Sequence, residues 1–310
     1  MIHIITMLLP IAVMIGVGYA CRSSGFVSEE GIESIKKLVT RLILPVAIFH
    51  ALSTAEYSGK TAAIVGLVFG VELLTFGAGF LLRRFMAPAY RRYIPFMVCL
   101  YEGGMIAYPL YSSLCGSENL SRMAMLDIPG LLFGFSIYMG LLEEMETGAK
   151  PSARNLLRDA LRNPAFLASA AGVAFGLLGL TKALMEGSLG AAYLAAEQLL
   201  TAPMTAMILL VVGYNLKPDV TDWRPCLQTV ALRLLVQAAA IVLTIAGLRL
   251  LGLGDRLLET AVVIYMSAPA TFSMQSFLRT KQGSTYAAAV GSVYVFISIA
   301  VYAVLAAIGG

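Results

Sequence analysis

Two prolines set in apolar stretches carry the chemistry this chain is best placed to perform. Pro109 lies in CLYEGGMIAYPLYSSL and Pro269 in VIYMSAPATFSMQSFL. Proline lacks an amide donor and crowds the preceding turn, so a helix tends to break there. Broken backbone survives inside a bilayer only where it is buried in protein or lines a cavity. At the first position of a new half-helix, proline needs no donor. The following amides, at Leu110 and Tyr111 and at Ala270 and Thr271, are then expected as free donors at a positive dipole end, which suits a carboxylate. Gly103 and Gly104 let backbone or ligand approach closely, and Ser267, Thr271, Ser273 and Gln275 add hydroxyl and amide contacts. The candidate substrate-binding set is Glu102, Gly103, Gly104, Pro109, Leu110, Ser267, Pro269, Ala270, Thr271 and Gln275. The alternative is a pair of ordinary kinks filled by packing.

Glu102 and Asp127 are the ionisable candidates for ion coupling. An acid at membrane depth is costly when charged and unpaired, so it is usually functional or paired. Counting 1.5 Å per residue from Ile94 puts Pro109 about 22 Å along, past the midplane of a core about 30 Å thick, with Glu102 nearer the centre. Glu102 reads as a coupling proton site: protonated, it tolerates an anionic substrate, and ionised, it repels one. Asp127, in MLDIPGLLFG, reads as its partner or as a cation ligand with Gln275. Satisfaction by local hydroxyls and backbone is the plainer alternative for both acids. Glu72, Glu197, Arg41 and Arg233 also fall in apolar stretches and read as paired structural charges, Arg41 by snorkelling. His50 reads as a packing or interfacial residue.

The elements that must position these residues are membrane helices. Hydrophobic residues make up 59% of the 310, charged residues 13%, and mean hydropathy is +0.82. Soluble domains carry about 25% charge and about 45–50% apolar residues. A spanning helix needs about 20 mostly apolar residues. Ten candidates meet this, near 4–21, 32–53, 60–82, 94–114, 121–142, 162–181, 189–216, 225–250, 258–278 and 285–308. With the N-terminus outside, fifteen of the 22 Lys and Arg residues fall on inner connections and five on outer ones, leaving Arg41 and Arg233 within spans. This positive-inside bias places both termini outside. The start, MIHIITMLLP, lacks a basic leader and reads as the first span.

Halving the chain gives five spans plus five, so the second half inserts inverted. Prolines recur as Pro10 and Pro164, Pro45 and Pro203, Pro109 and Pro269, at offsets of 154, 158 and 160. The first repeat is 1–142, a cytoplasmic linker is 143–161, and the second repeat is 162–310. Paired interrupted spans in such repeats point to a transporter site. Spans 3 and 8 are equivalents in this scheme, which makes Glu72 and Arg233 a candidate buried pair.

Other chemistries find little footing. Cys21, Cys99, Cys115 and Cys226 are scattered, with no C-x-x-C pair, and the two histidines, His3 and His50, are far apart. Zinc, haem and other cofactors are not expected beyond a coupling proton or sodium ion, and no P-loop is present for nucleotide-driven pumping. No nucleic-acid partner is expected. An intramembrane enzyme would need Ser/His, paired aspartates or metal ligands. A receptor or channel is a further alternative, and so is a sodium-coupled carrier or cation/proton antiporter, although the stretch around Pro269 has no carboxylate for antiport.

The chain resembles the auxin efflux carrier family, in particular its short bacterial, malate-permease-like members. The similarity runs from GVGYACRSSGFVSEEGIESIKKLVTRLILPVAIFHAL, with Pro45 to Phe49 at its core, through GGMIAYPLYSSLCG and RNPAFLASAAGVAFG to SAPATFSMQSFLRTKQGS. The resemblance implies an all-α membrane protein of ten transmembrane helices in a 5+5 inverted repeat, with broken, crossing spans 4 and 9. It also implies a scaffold of spans 1, 2, 6 and 7, and a moving transport domain of spans 3–5 and 8–10. The expected activity is secondary transport of small organic anions (carboxylates) across the cell inner membrane, in some members as a homodimer through scaffold spans. Relatives often carry asparagine seven residues before the span-4 proline; here that residue is Glu102.

Overall fold

The structure, a computed structural model, describes residues 2–148, 150, 152–216, 223–272, 274 and 278–309. Helix dominates, and there is no strand among the described residues. The first elements are α1 (Ile2–Ser23), α2 (Glu29–Leu38), α3 (Leu44–Ser53) and α4 (Gly59–Leu82). Next come α5 (Ile94–Val98), α6 (Tyr108–Cys115), α7 (Leu120–Phe133) and α8 (Met139–Thr147). The second half has α9 (Ala153–Ala160), α10 (Pro164–Leu177), α11 (Leu180–Glu186) and α12 (Gly190–Thr201). It ends with α13 (Met204–Asn215), α14 (Trp223–Leu250), α15 (Arg256–Met266) and α16 (Lys281–Gly309).

Helix starts follow their capping residues. Ser28 accepts from the Gly31 amide ahead of α2, Asn163 from Phe166 ahead of α10, and Asp255 from Leu258 ahead of α15. Each supplies an acceptor to a first-turn amide that lacks a helical partner. Two prolines act further upstream. Five-residue π-turns at Val39–Ile43 and Gly103–Ala107 run directly into α3 and α6, whose second residues are Pro45 and Pro109. A proline ring crowds the carbonyl four residues back, and a wider i→i+5 turn relieves that crowding.

Among the described residues, five helical stretches are long and apolar enough to cross a membrane: Gly59–Phe85, Ser117–Thr147, Gly190–Asn215, Trp223–Leu250 and Lys281–Ile308. A sixth arises if α10 and α11, bent by 70°, form one span. The bend falls at Gly179, whose φ of +68° lies in the left-handed region. The remaining expected spans fall on shorter or interrupted helical segments, and the candidate prolines lie in two of these spans. The prolines matched by offset have unlike settings. Pro10 is inside α1, Pro164 opens α10, Pro109 is in α6 and Pro269 is outside any helix.

Two close pairs build one side of the molecule: α1 with α13, and α3 with α10. In the first, a β-carbon on Gly213 would run into the Ile15 carbonyl, and one on Gly18 into the Leu210 carbonyl. Small residues let membrane helices approach to backbone contact. Gly213→Leu is expected to destabilise the protein by at least about 1–3 kcal/mol, the range for overpacking. A melting curve of the detergent-solubilised variant checks this, and an unchanged midpoint would contradict the packing. The opposite side has an aromatic core in which Phe76 meets Phe96 and Phe133 edge-on, both at 5.5 Å, and Phe96 meets Tyr138 at 5.3 Å. Cys99 and Leu100 of the first interrupted segment pack into this core.

Candidate functional site

The first interruption follows α5. At Cys99 the backbone turns extended, Leu100 takes a φ of +42°, and helix does not resume until Gly103. A leucine in the left-handed region is strained, so surrounding contacts must hold it. The helical restart lies six residues before Pro109. Pro109 and Leu110 are therefore buried inside a continuous helical run, 103–115, and the amides at Leu110 and Tyr111 do not open it. The opening residue is Glu102, which caps the run by accepting the Met105 amide at 3.3 Å. Gly104 is half-buried beside Leu44.

The second interruption follows α15. Residues 267–272 are non-helical. Ser267 donates to the Ile264 carbonyl at 3.1 Å, and its own carbonyl accepts from Ser298 of α16 at 2.8 Å. Ala270 and Thr271 are half-buried. Gln275 and Ser273 lie outside the described residues.

Hydrogen bonds join the two interruptions. The Glu102 amide donates to the Pro269 carbonyl at 2.9 Å. In return, the Phe272 amide donates to Glu102 Oε2 at 2.7 Å, and the Thr271 hydroxyl adds to the same carboxylate. Glu102 is thus half-buried with its carboxylate held by an amide of each segment. Chemically, the second interruption already seats a carboxylate, and that carboxylate belongs to the first.

Arg233 of α14 binds carbonyls at both interruptions, and it is fully buried. Nη1 donates to the Met97 and Cys99 carbonyls, the latter at 3.1 Å; Nη2 donates to Leu100 at 3.2 Å and to Ala268 at 2.8 Å. The guanidinium also lies 5.6 Å from the Tyr101 ring centroid and 5.1 Å from that of Tyr294. One turn on, Gln237 donates to Ala268 at 3.0 Å and accepts from Tyr294. The guanidinium fork suits several acceptors at fixed angles. Among the described residues no ion pair joins Arg233 to Glu72, so that pairing is corrected: the arginine is committed to carbonyls instead. An Arg and a Gln four residues apart in an apolar helix were the available signal, because they share one face.

Asp127 sits behind the first restart. Its Oδ1 accepts from Tyr265 at 3.1 Å, and a β-carbon on Gly103 would stand 2.5 Å from that oxygen. Tyr265 is thus the hydrogen-bond donor to Asp127, and Gly103, next to the Glu102 cap, packs against the same carboxylate. The Tyr108 hydroxyl faces the same carboxylate without completing a hydrogen bond. Sequence reading had no signal for Tyr265. Elsewhere, His50 meets the Tyr193 hydroxyl at 2.9 Å, Glu197 accepts from Thr201 at 3.1 Å, and Arg41 is exposed. An apolar groove of about 830 Å³ runs between α1 and α16, lined by residues such as Ala12, Ile15, Phe296 and Ala300. It contains none of the candidate site residues and is lined almost wholly by apolar surface.

Residues 3–308 match the family model described as membrane transport protein. An uncharacterized transporter of Methanothermobacter thermautotrophicus is 25% identical over 186 residues, which is 59% of this chain and 60% of that protein. The match thus spans less than two thirds of the relative.

Proposed function

The chain belongs to the auxin efflux carrier family of membrane transport proteins, and from that premise we propose that it is a secondary carrier of small organic anions, coupled to protons through Glu102. The observation that carries this reading is the 2.7 Å hydrogen bond from the Phe272 amide to the Glu102 carboxylate. Amides with no helical partner bind anions well. An ionised Glu102 occupies the amide itself. A protonated Glu102 loses the charge-assisted part of that bond and releases the donor. A substrate carboxylate then takes the place of the glutamate, with Pro269, Ala270, Thr271 and Ser267 on one side and Gly103 and Gly104 on the other. Proton and anion enter together because one makes room for the other.

In this reading the ten-span 5+5 arrangement, with spans 4 and 9 crossing at the two interruptions, supplies the site. The α1–α13 and α3–α10 pairs form a scaffold, and the remainder moves against it in alternating access. The protein resides in the cell inner membrane with both termini outside, assembles as a homodimer through the scaffold, and performs no enzymatic step. Purified protein in liposomes tests the function. Labelled mono- and dicarboxylates are expected to show saturable uptake and counterflow that strengthens as pH falls. Non-saturating flux without counterflow would indicate a channel and defeat the proposal.

A further inference from the structure

The anion seat leaves one buried group without a task. Glu72 of α4 is fully buried, and neither carboxylate oxygen has a hydrogen-bond partner. Around it are Tyr101 and Cys99 from the first interruption, Asp127 from α7 and Tyr265 from α15. A β-carbon on Gly130 would stand 3.2 Å from Glu72 Oε1 and would collide with the Tyr265 hydroxyl, so that glycine keeps the two side chains beside one another. Tyr265 in turn bonds Asp127. The buried hydroxyls of Tyr101 and Tyr108 also lack hydrogen-bond partners. The result is a cluster of oxygens from two acids and three tyrosines, held by α4, the first interruption, α6, α7 and α15.

We propose that Glu72 and Asp127, with the hydroxyls of Tyr101, Tyr108 and Tyr265, form a binding site for one sodium-like monovalent cation. Hard cations take oxygen ligands, and oxygen is what these side chains present. A proton alone answers the geometry less fully: it occupies one Glu72 oxygen and leaves the other, which no donor reaches, unpaired, and buried polar groups are normally paired. Charge balance favours a monovalent ion. Of the charged residues that are buried as whole residues among those described, Glu72, Asp127 and Arg233 sum to one net negative charge, while Glu146, whose side chain is also buried, is paired with Arg92 at 3.5 Å. One added positive charge closes that balance. No group of three or more His, Cys, Asp or Glu suited to a metal occurs among the described residues, in keeping with an ion that relies on neutral oxygens. The site goes beyond the anion seat, and its direct test does not require carboxylates to be the cargo.

The experiment is equilibrium binding of radioactive sodium to the purified full chain at neutral pH. Wild type is expected to give a saturable signal, competed by unlabelled sodium and not by choline. Glu72→Gln, which keeps the shape and removes the charge, is expected to lose that signal. Asp127→Asn is expected to weaken it. Melting midpoints provide a second readout, because a ligand that binds the native state raises stability. Wild type should gain thermal stability with sodium at constant ionic strength, and Glu72→Gln should not, even if its own midpoint differs. Absence of saturable binding by wild type overturns the proposal, as does wild-type binding by folded Glu72→Gln. A midpoint that follows pH alone, indifferent to sodium, would make the cluster a proton site and also overturn it.

Discussion

Replacing Arg233 by methionine is expected to abolish transport and remove most of the folded protein. The side chain serves four carbonyls in two interrupted segments. Stranding a buried polar group costs about 1–3 kcal/mol, so four stranded together approach a typical native margin of about 5–15 kcal/mol. The strained Leu100 turn would also lose its restraint. Arg233→Lys keeps the charge but not the fork, so it should recover part of the folded yield and little uptake. Folded yield by size-exclusion profile, melting midpoint and liposome uptake are the measurements. A methionine variant with wild-type midpoint and uptake would show that the carbonyl clamp is dispensable.

Glu102→Gln should separate binding from coupling. Glutamine retains one acceptor oxygen for the two amides that now share a carboxylate, and its NH2 group opposes the other amide. In the proposed cycle this resembles the protonated state at every pH. Counterflow should persist, the rise of uptake at low pH should disappear, and a proton gradient should no longer drive accumulation. A hydrogen bond to a charged group is worth about 1.5–3 kcal/mol, so substrate should bind roughly ten- to a hundredfold tighter at neutral pH once that competitor is gone. Uptake measured across pH with and without an imposed gradient decides this. A pH profile identical to wild type would remove Glu102 from the coupling role.

These residues also show how far the linear chain can be read. Pro109 and Pro269 announced two interruptions because a missing amide donor is a local property. Glu102 stood out because an acid in an apolar stretch is rare. Where the helix resumes was less legible. The π-turn that Pro109 imposes moves the restart back to Gly103, and the fit of Gly103 against Asp127 is tertiary. The free amides expected at Leu110 and Tyr111 were displaced by that shift. Arg233 was misread because charge invites pairing with charge, whereas its partners are uncharged carbonyls that exist only once two distant segments fold together. Glu72 looked like half of an ion pair for the same reason. Tyr265, in VVIYMSAP, carried no signal, because its partner Asp127 is distant in sequence. Length and apolarity gave ten candidate spans, of which five are continuous helical stretches of spanning length among the described residues and the others fall on shorter or broken helical segments.

The buried charge balance has an electrical consequence. If the unit bearing Glu72, Asp127 and Arg233 shifts across the bilayer, its net negative charge moves through part of the transmembrane field. Each elementary charge crossing fully is worth about 2.3 kcal/mol per 100 mV. An interior-negative potential would push the empty unit outward, and a filled cation site would reduce that push by one charge. Voltage would then act on the unloaded return, so polarising the membrane should speed turnover without altering how tightly cargo is held.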